Sequence, residues 1–122
     1  MVSRQEFGRI DRVRKAMIRE VSSIIATELQ DPRLEGRIVS VTDVEMTNDL
    51  RYAKIFVSVL GDEPSKEAVM EALLEKTPQV RSQVGRRIRL RYTPEVHFFM
   101  DDSLERGDRV SELLKQIARE DR

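Results

Sequence analysis

Near Arg37 the apolar period of the chain changes from about 3.6 to 2, and this change limits the architecture more than any other feature. Before it, apolar residues fall at Ile10, Val13, Met17, Val21, Ile24, Ile25 and Leu29. Steps of three and four make one stripe on a helix of about twenty residues, roughly 30 Å long. Asp31-Pro32 stops that helix, because the residue before a proline is pushed out of the helical region. After the change come RIVSVTDVEM and YAKIFVSVL, both rich in β-branched residues. The second alternates cleanly, with Ala53, Ile55, Val57 and Val59 set against Lys54, Phe56 and Ser58. Thr47-Asn48-Asp49 is turn chemistry, so the two runs predict an antiparallel hairpin. The alternation slips between Val41 and Val44, which predicts a bulge near Thr42-Asp43.

Gly61-Asp62-Glu63-Pro64 ends the hairpin, and Ser65 is a candidate cap for a helix through Ala68, Val69, Ala72 and Leu73. Helical periodicity continues past Thr77-Pro78, so a kink is expected there, with Thr77 as a new N-cap and Pro78 at the first position. Beyond it Val80, Val84 and Ile88 share one side, and Arg81, Arg86 and Arg89 face away with Ser82 and Gly85. Tyr92-Thr93-Pro94 leads into a third strand, EVHFFM, with Val96, Phe98 and Met100 pointing one way. A loop follows, and Asp108 can start a last helix carrying Val110, Leu113, Leu114 and Ile117. The expected class is α+β, one domain over residues 1–122 with its core in about 7–114. A 122-residue chain is long enough for one core. With aromatics at only 5%, that core must be aliphatic.

Catalysis finds little support. There is no cysteine, which removes disulfides, zinc-thiolate sites and thiol nucleophiles together. The single histidine, His97, sits in a strand and reads as a polar-face residue without metal-binding company. Asp101 and Asp102 are adjacent acids at a strand end, where capping of backbone amides is the usual role. Ser103 has no partnering base at a recognisable spacing. The five glycines are dispersed and form no nucleotide loop. We expect no enzyme, no metal and no cofactor. No apolar run has the length of a membrane span, and the polar N-terminal stretch contains acids, so a cytoplasmic location is expected.

The charges carry more. Lys and Arg number 22 and so do Asp and Glu, yet the signs are segregated along the chain. Residues 80–92, VRSQVGRRIRLRY, hold Arg81, Arg86, Arg87, Arg89 and Arg91 and no acid. On the first helix, Arg12, Lys15 and Arg19 fall together opposite the apolar stripe. Gathering so many cations costs self-repulsion unless a polyanion or an acidic surface neutralises them. Arginine's planar fork pairs well with phosphate oxygens, so these eight residues are the candidate RNA-binding set. Two other readings stay open: internal neutralisation by the acidic stretch 101–108, and an acidic protein partner. Phe56 and Tyr92 can stack on bases or serve as packing anchors.

The order helix-strand-strand-helix-helix-strand is similar to a type II KH fold. The stretches LQDPRL, VSVTDVEMTNDLRYAKIFVSVLG and GRRIRLRYTPEVHFFMDDSLERGDRVSELL together resemble the ribosome-binding factor A family. The likeness runs from about Phe7 to Leu114. It implies a KH-like domain that binds the immature 30S small ribosomal subunit through 16S rRNA and assists late maturation and rRNA processing. It further implies a factor that catalyses no reaction and is released with the help of a ribosome-assembly GTPase; nothing in the sequence demands more than a monomer. The family lacks the GxxG loop of ordinary KH domains, as does this chain. Where members carry a short Ala-x-Gly signature at the helix kink, this chain has Lys76, Thr77 and Pro78. A general single-stranded RNA or DNA KH module is the alternative.

Overall fold

The computed structural model describes residues 4–101. The expected last helix, Asp102 and Ser103 lie outside the described residues. Helix α1 spans Arg4–Thr27, with Met17, Val21, Ile24 and Ile25 of its stripe buried. It ends two residues before Leu29, although the Glu28 and Leu29 amides still donate to the Ile24 carbonyl and keep Leu29 in the core.

The strands β1 (Ile38–Met46), β2 (Tyr52–Leu60) and β3 (Glu95–Met100) form one sheet in the order β1-β2-β3. β1 and β2 pair antiparallel, and the register shifts between Val41 and Asp43, the bulge expected from the slipped alternation. The extra residue is Thr42. Its Oγ1 lies 2.5 Å from Asp101 Oδ2, so the bulge turns a hydroxyl toward the end of β3. β3 pairs parallel with β2, from Tyr52 opposite Glu95 to Val57 opposite Met100. A parallel neighbour requires a crossover, and two helices supply it.

The first of these, α2, spans Glu63–Glu75. Its N-cap is Asp62, whose Oδ1 accepts from the Ser65 amide at 2.9 Å. Ser65 is therefore inside the first turn and is not the cap. The carboxylate of Asp62 reaches the free amides one turn earlier, and Pro64 is tolerated there because a first-turn amide has no helical acceptor to lose. The second, α3, spans Thr77–Arg87, with Lys76 closing one helix and opening the next. The break is where expected, but the cap is displaced by one residue. Thr77 Oγ1 donates back to the Leu73 carbonyl at 2.9 Å, so its hydroxyl serves α2 and leaves α3 without a side-chain cap.

The core lies between one sheet face and the helices. Val44, Ala53, Ile55, Val57, Val59, Val96 and Phe98 meet Met17, Val21, Ile24, Val69, Leu73, Val80 and Val84. The other face carries Lys54, Phe56, His97 and Phe99, with the two phenylalanine rings 5.7 Å apart. Helix α3 stops sooner than its periodicity suggests. Ile88 is already extended, at φ −118° and ψ 117°, and the alternation that follows turns Ile88 and Leu90 inward and Arg89 and Arg91 outward. Arg89 is thus presented from an extended segment and not from a helix face.

Candidate nucleic-acid interface

Helix α1 packs across β1 and beside α3. The side-by-side packing is fastened by Arg87. Its guanidinium donates to Glu20 Oε2 at 3.4 Å, Ser23 Oγ at 3.0 Å and Glu28 Oε1 at 3.2 Å, all on α1 or the turn after it. Farther along, Leu90, Arg91 and Tyr92 share a hollow with Arg9 near the start of α1. The segment 87–92 therefore runs beside α1, from Glu20 and Glu28 at one end to Arg9 at the other. The two basic stretches of the sequence are neighbours in the fold.

Their side chains are not equivalent. Arg12, Arg86, Arg89 and Arg91 are exposed, and none makes an ion pair with a described residue. Lys15 is exposed but lies 3.2 Å from Asp11 Oδ2. Arg19 is 72% exposed, with Glu20 Oε1 at 3.5 Å, a pair that water screens and that leaves the cation available. Arg81 spends its guanidinium on two backbone carbonyls, donating to Thr93 at 3.1 Å and Pro94 at 3.3 Å. Arg87 is only 23% exposed and doubly paired, so the expectation of a free cation there is not met. The helical phase explains the contrast: Arg86 and Arg87 differ by about 100° around α3, which sends one to solvent and the other to α1.

Electrostatics elsewhere on α1 are settled locally. Arg14 bridges Asp11 at 2.9 Å and Asp43 at 3.0 Å, and hydrogen bonds from Arg14 and then Lys15 hold the Asp11 carboxyl below the usual carboxylate range. The loop LQDPRL, which contributes to the family likeness, has a structural task. Asp31 is buried and accepts from the Arg33 amide, Nε and Nη2, which holds its carboxyl down to about 2.

Two cations with no part in the sequence-derived set join this region. Arg9 and Arg51 line the same hollow as Arg91. Arg51 had no local signal, since it follows the hairpin turn alone. What brings it near Tyr92 is the parallel pairing of β2 and β3, where the Glu95 amide donates to the Arg51 carbonyl at 2.8 Å. Lys76, Thr77 and Pro78 sit at the junction of α2 and α3, with Lys76 and Thr77 half-buried and Pro78 exposed. Among the described residues no helix is long and apolar enough to cross a membrane, and no group of three His, Asp or Glu is placed to hold a metal.

The family model for ribosome-binding factor A matches residues 9–114. The chain belongs to the ribosome-binding factor A family. Ribosome-binding factor A of Acetivibrio thermocellus is 46% identical over 110 residues, which covers 90% of this chain and 89% of that protein. The crystal structure of ribosome-binding factor A from Thermus thermophilus superposes with a TM-score of 0.65 at 23% identity, covering 75% of this chain and 93% of the other. A homology model of the Thermus factor, fitted into an electron-microscopy map of its complex with the 30S subunit, superposes at 0.59 and 24% identity over 70% and 88%. The two Thermus likenesses bear on the fold. The α+β order helix-strand-strand-helix-helix-strand is the one the family resemblance implies.

Proposed function

We propose that this ribosome-binding factor A family member binds the immature 30S small ribosomal subunit through 16S rRNA and assists its late maturation, including rRNA processing, as a ligand and not as an enzyme. The observation that carries the reading is the set of exposed guanidiniums on Arg12, Arg86, Arg89 and Arg91, which have no ion pair among the described residues. Cations left unneutralised along two adjacent segments are complementary to a polyanion, and phosphate contacts of this kind fix position without reading base sequence. Recognition of a folded RNA by shape fits that chemistry. Family membership and the placing of the Thermus relative in a map of a 30S complex support the same reading.

Lys15 and Arg19 extend the contact surface, Arg81 contributes through its exposed flank, and Arg87 acts by holding α3 against α1. The Lys76-Thr77-Pro78 junction sets the direction of α3 and so of Arg86. The protein works as one KH-like domain, core about 7–114, as a cytoplasmic monomer that needs no cofactor, and a ribosome-assembly GTPase drives its release. The test is sucrose-gradient fractionation of cell extract. The native protein is expected with free small subunits and absent from intact ribosomes, and Arg86→Glu with Arg89→Glu moves it to the top of the gradient. Co-migration of that double variant with small subunits would overturn the reading. Equal affinity of the native protein for short unstructured oligonucleotides would favour a general KH module instead.

A further inference from the structure

Three arginines from three separate segments meet at one end of the molecule. Arg9 comes from α1, Arg51 from the end of the β1-β2 turn, and Arg91 from the bend in the loop between α3 and β3. Together with Asn48, Asp49 and Tyr92 they line a hollow of about 250 Å³. None of the three makes an ion pair with a described residue. The one carboxylate in the lining is occupied: Asp49 Oδ1 accepts from Thr47 Oγ1 at 2.6 Å and from the Arg51 amide at 3.1 Å. Convergence of like charges is unfavourable, and one carboxylate, Asp49, beside Arg51 offsets only part of it.

The hollow is also built to hold two of these groups still. Arg51 Cζ lies 4.6 Å and Arg91 Cζ 5.6 Å from the centroid of the Tyr92 ring. A guanidinium over an aromatic ring has its face covered and its in-plane N–H donors turned outward, which is the edge that grips a phosphate. Arg51 is fixed further by its own turn. Leu50 adopts a left-handed φ of 60° and is buried, a strained conformation for a side chain without local hydrogen-bonding groups. That anchor sets where Arg51 leaves the hairpin.

We infer that the hollow between Arg9, Arg51 and Arg91 is a phosphate-binding notch for a phosphodiester of the RNA backbone, with Tyr92 as the platform that preorganises two of its guanidiniums. The inference rests on the RNA-binding reading above and adds to it a discrete point of contact apart from the α3 arginines. The size admits one phosphate and its sugar, so the notch takes a single backbone unit and contributes position, not base identity.

The experiment is filter binding of transcribed small-subunit rRNA at several salt concentrations, with thermal melts to confirm that each variant is folded. Arg51→Gln and Arg91→Gln are each expected to weaken binding roughly fivefold near 0.1 M salt and to flatten the log-log salt slope by about 0.7 to 0.9. Tyr92→Leu should weaken binding but add little on top of Arg51→Gln combined with Arg91→Gln, since the ring acts through those two guanidiniums. Wild-type affinity and slope in the Gln variants, beside a steep slope in the native protein, overturns the notch and leaves the RNA reading standing. A native slope near zero removes both. Loss of polyglutamate binding in the variants with RNA binding unchanged assigns the hollow to an acidic protein and overturns the inference.

Discussion

Arg33 Nη2 lies 2.6 Å from Glu75 Oε2, which joins the loop after α1 to the last turn of α2 across 42 residues of sequence. The same nitrogen is 2.7 Å from Asp31 Oδ2, so one guanidinium clasps two carboxylates. Hydrogen bonds from Arg33 lower the carboxyls of both Asp31 and Glu75. Asp31 titrates at about 2 in the folded chain against an ordinary 3.8, so the unfolded chain binds its proton first. Stability from this group is complete above pH 3.8 and is lost as pH falls toward about 2. Thermal melts across that window should show a steep acid limb that flattens in Asp31→Asn. Arg33→Gln is expected to lower the melting temperature near pH 7 by about 5–10 °C, since two charge-assisted contacts go.

Neighbouring arginines on α3 should behave in opposite ways. Arg87→Gln strips Glu20 and Glu28 of a partly buried partner and loosens α3 from α1, at a cost of about 1–2 kcal/mol. Arg86→Gln touches no described ion pair and should change stability by less than about 0.5 kcal/mol. Small-subunit RNA affinity is expected to fall with Arg86→Gln and to hold for Arg87→Gln under conditions where it is folded. Denaturant titration and filter binding on the same two preparations check this. Equal effects of the two variants on stability would remove the distinction between a binding and a fastening arginine.

The contrast shows which parts of the molecule can be read from sequence. The hairpin, its bulge and the break near Pro78 are local: a slipped alternation and a proline ring state them within a few residues. Helix ends are less local, because two capping groups compete and geometry chooses. Asp62 outreaches Ser65, and Thr77 turns back to Leu73. The fate of each arginine depends on carboxylates far away in the chain, such as Glu20 and Glu28 for Arg87. A count of charges along the sequence cannot separate Arg86 from Arg87. Arg9 and Arg51 escape it altogether, since only the sheet register and the path of residues 87–92 bring them to Arg91.

Gly85 makes a different kind of contact. A Cβ built there would sit 2.8 Å from Thr93 Oγ1, closer than side chains approach, so α3 packs against the strand entry through a glycine. Alanine is otherwise about 1 kcal/mol better than glycine inside a helix. The two effects oppose each other, and Thr93 decides the sign. Gly85→Ala is expected to destabilise the native chain, while Gly85→Ala with Thr93→Ala should be more stable than Thr93→Ala alone by up to about 1 kcal/mol. A double-mutant cycle by urea unfolding measures the coupling. Additive effects would mean the helix shifts to make room.

Thr42 tests whether the bulge is more than an irregularity in pairing. Its hydroxyl reaches Asp101 Oδ2, and Asp101 is buried with its amide bonded to the Val57 carbonyl at 2.6 Å. The bulge thereby ties β1, across β2, to the residue that follows β3. Valine keeps the shape and the strand preference of threonine but not the donor. Thr42→Val should therefore cost about 1–3 kcal/mol, the usual penalty when a buried carboxylate loses a donor. Thr42→Ser, which retains the hydroxyl, should recover most of it despite the weaker strand preference. If valine and serine prove equally costly, the methyl group and not the hydrogen bond is what the bulge needs.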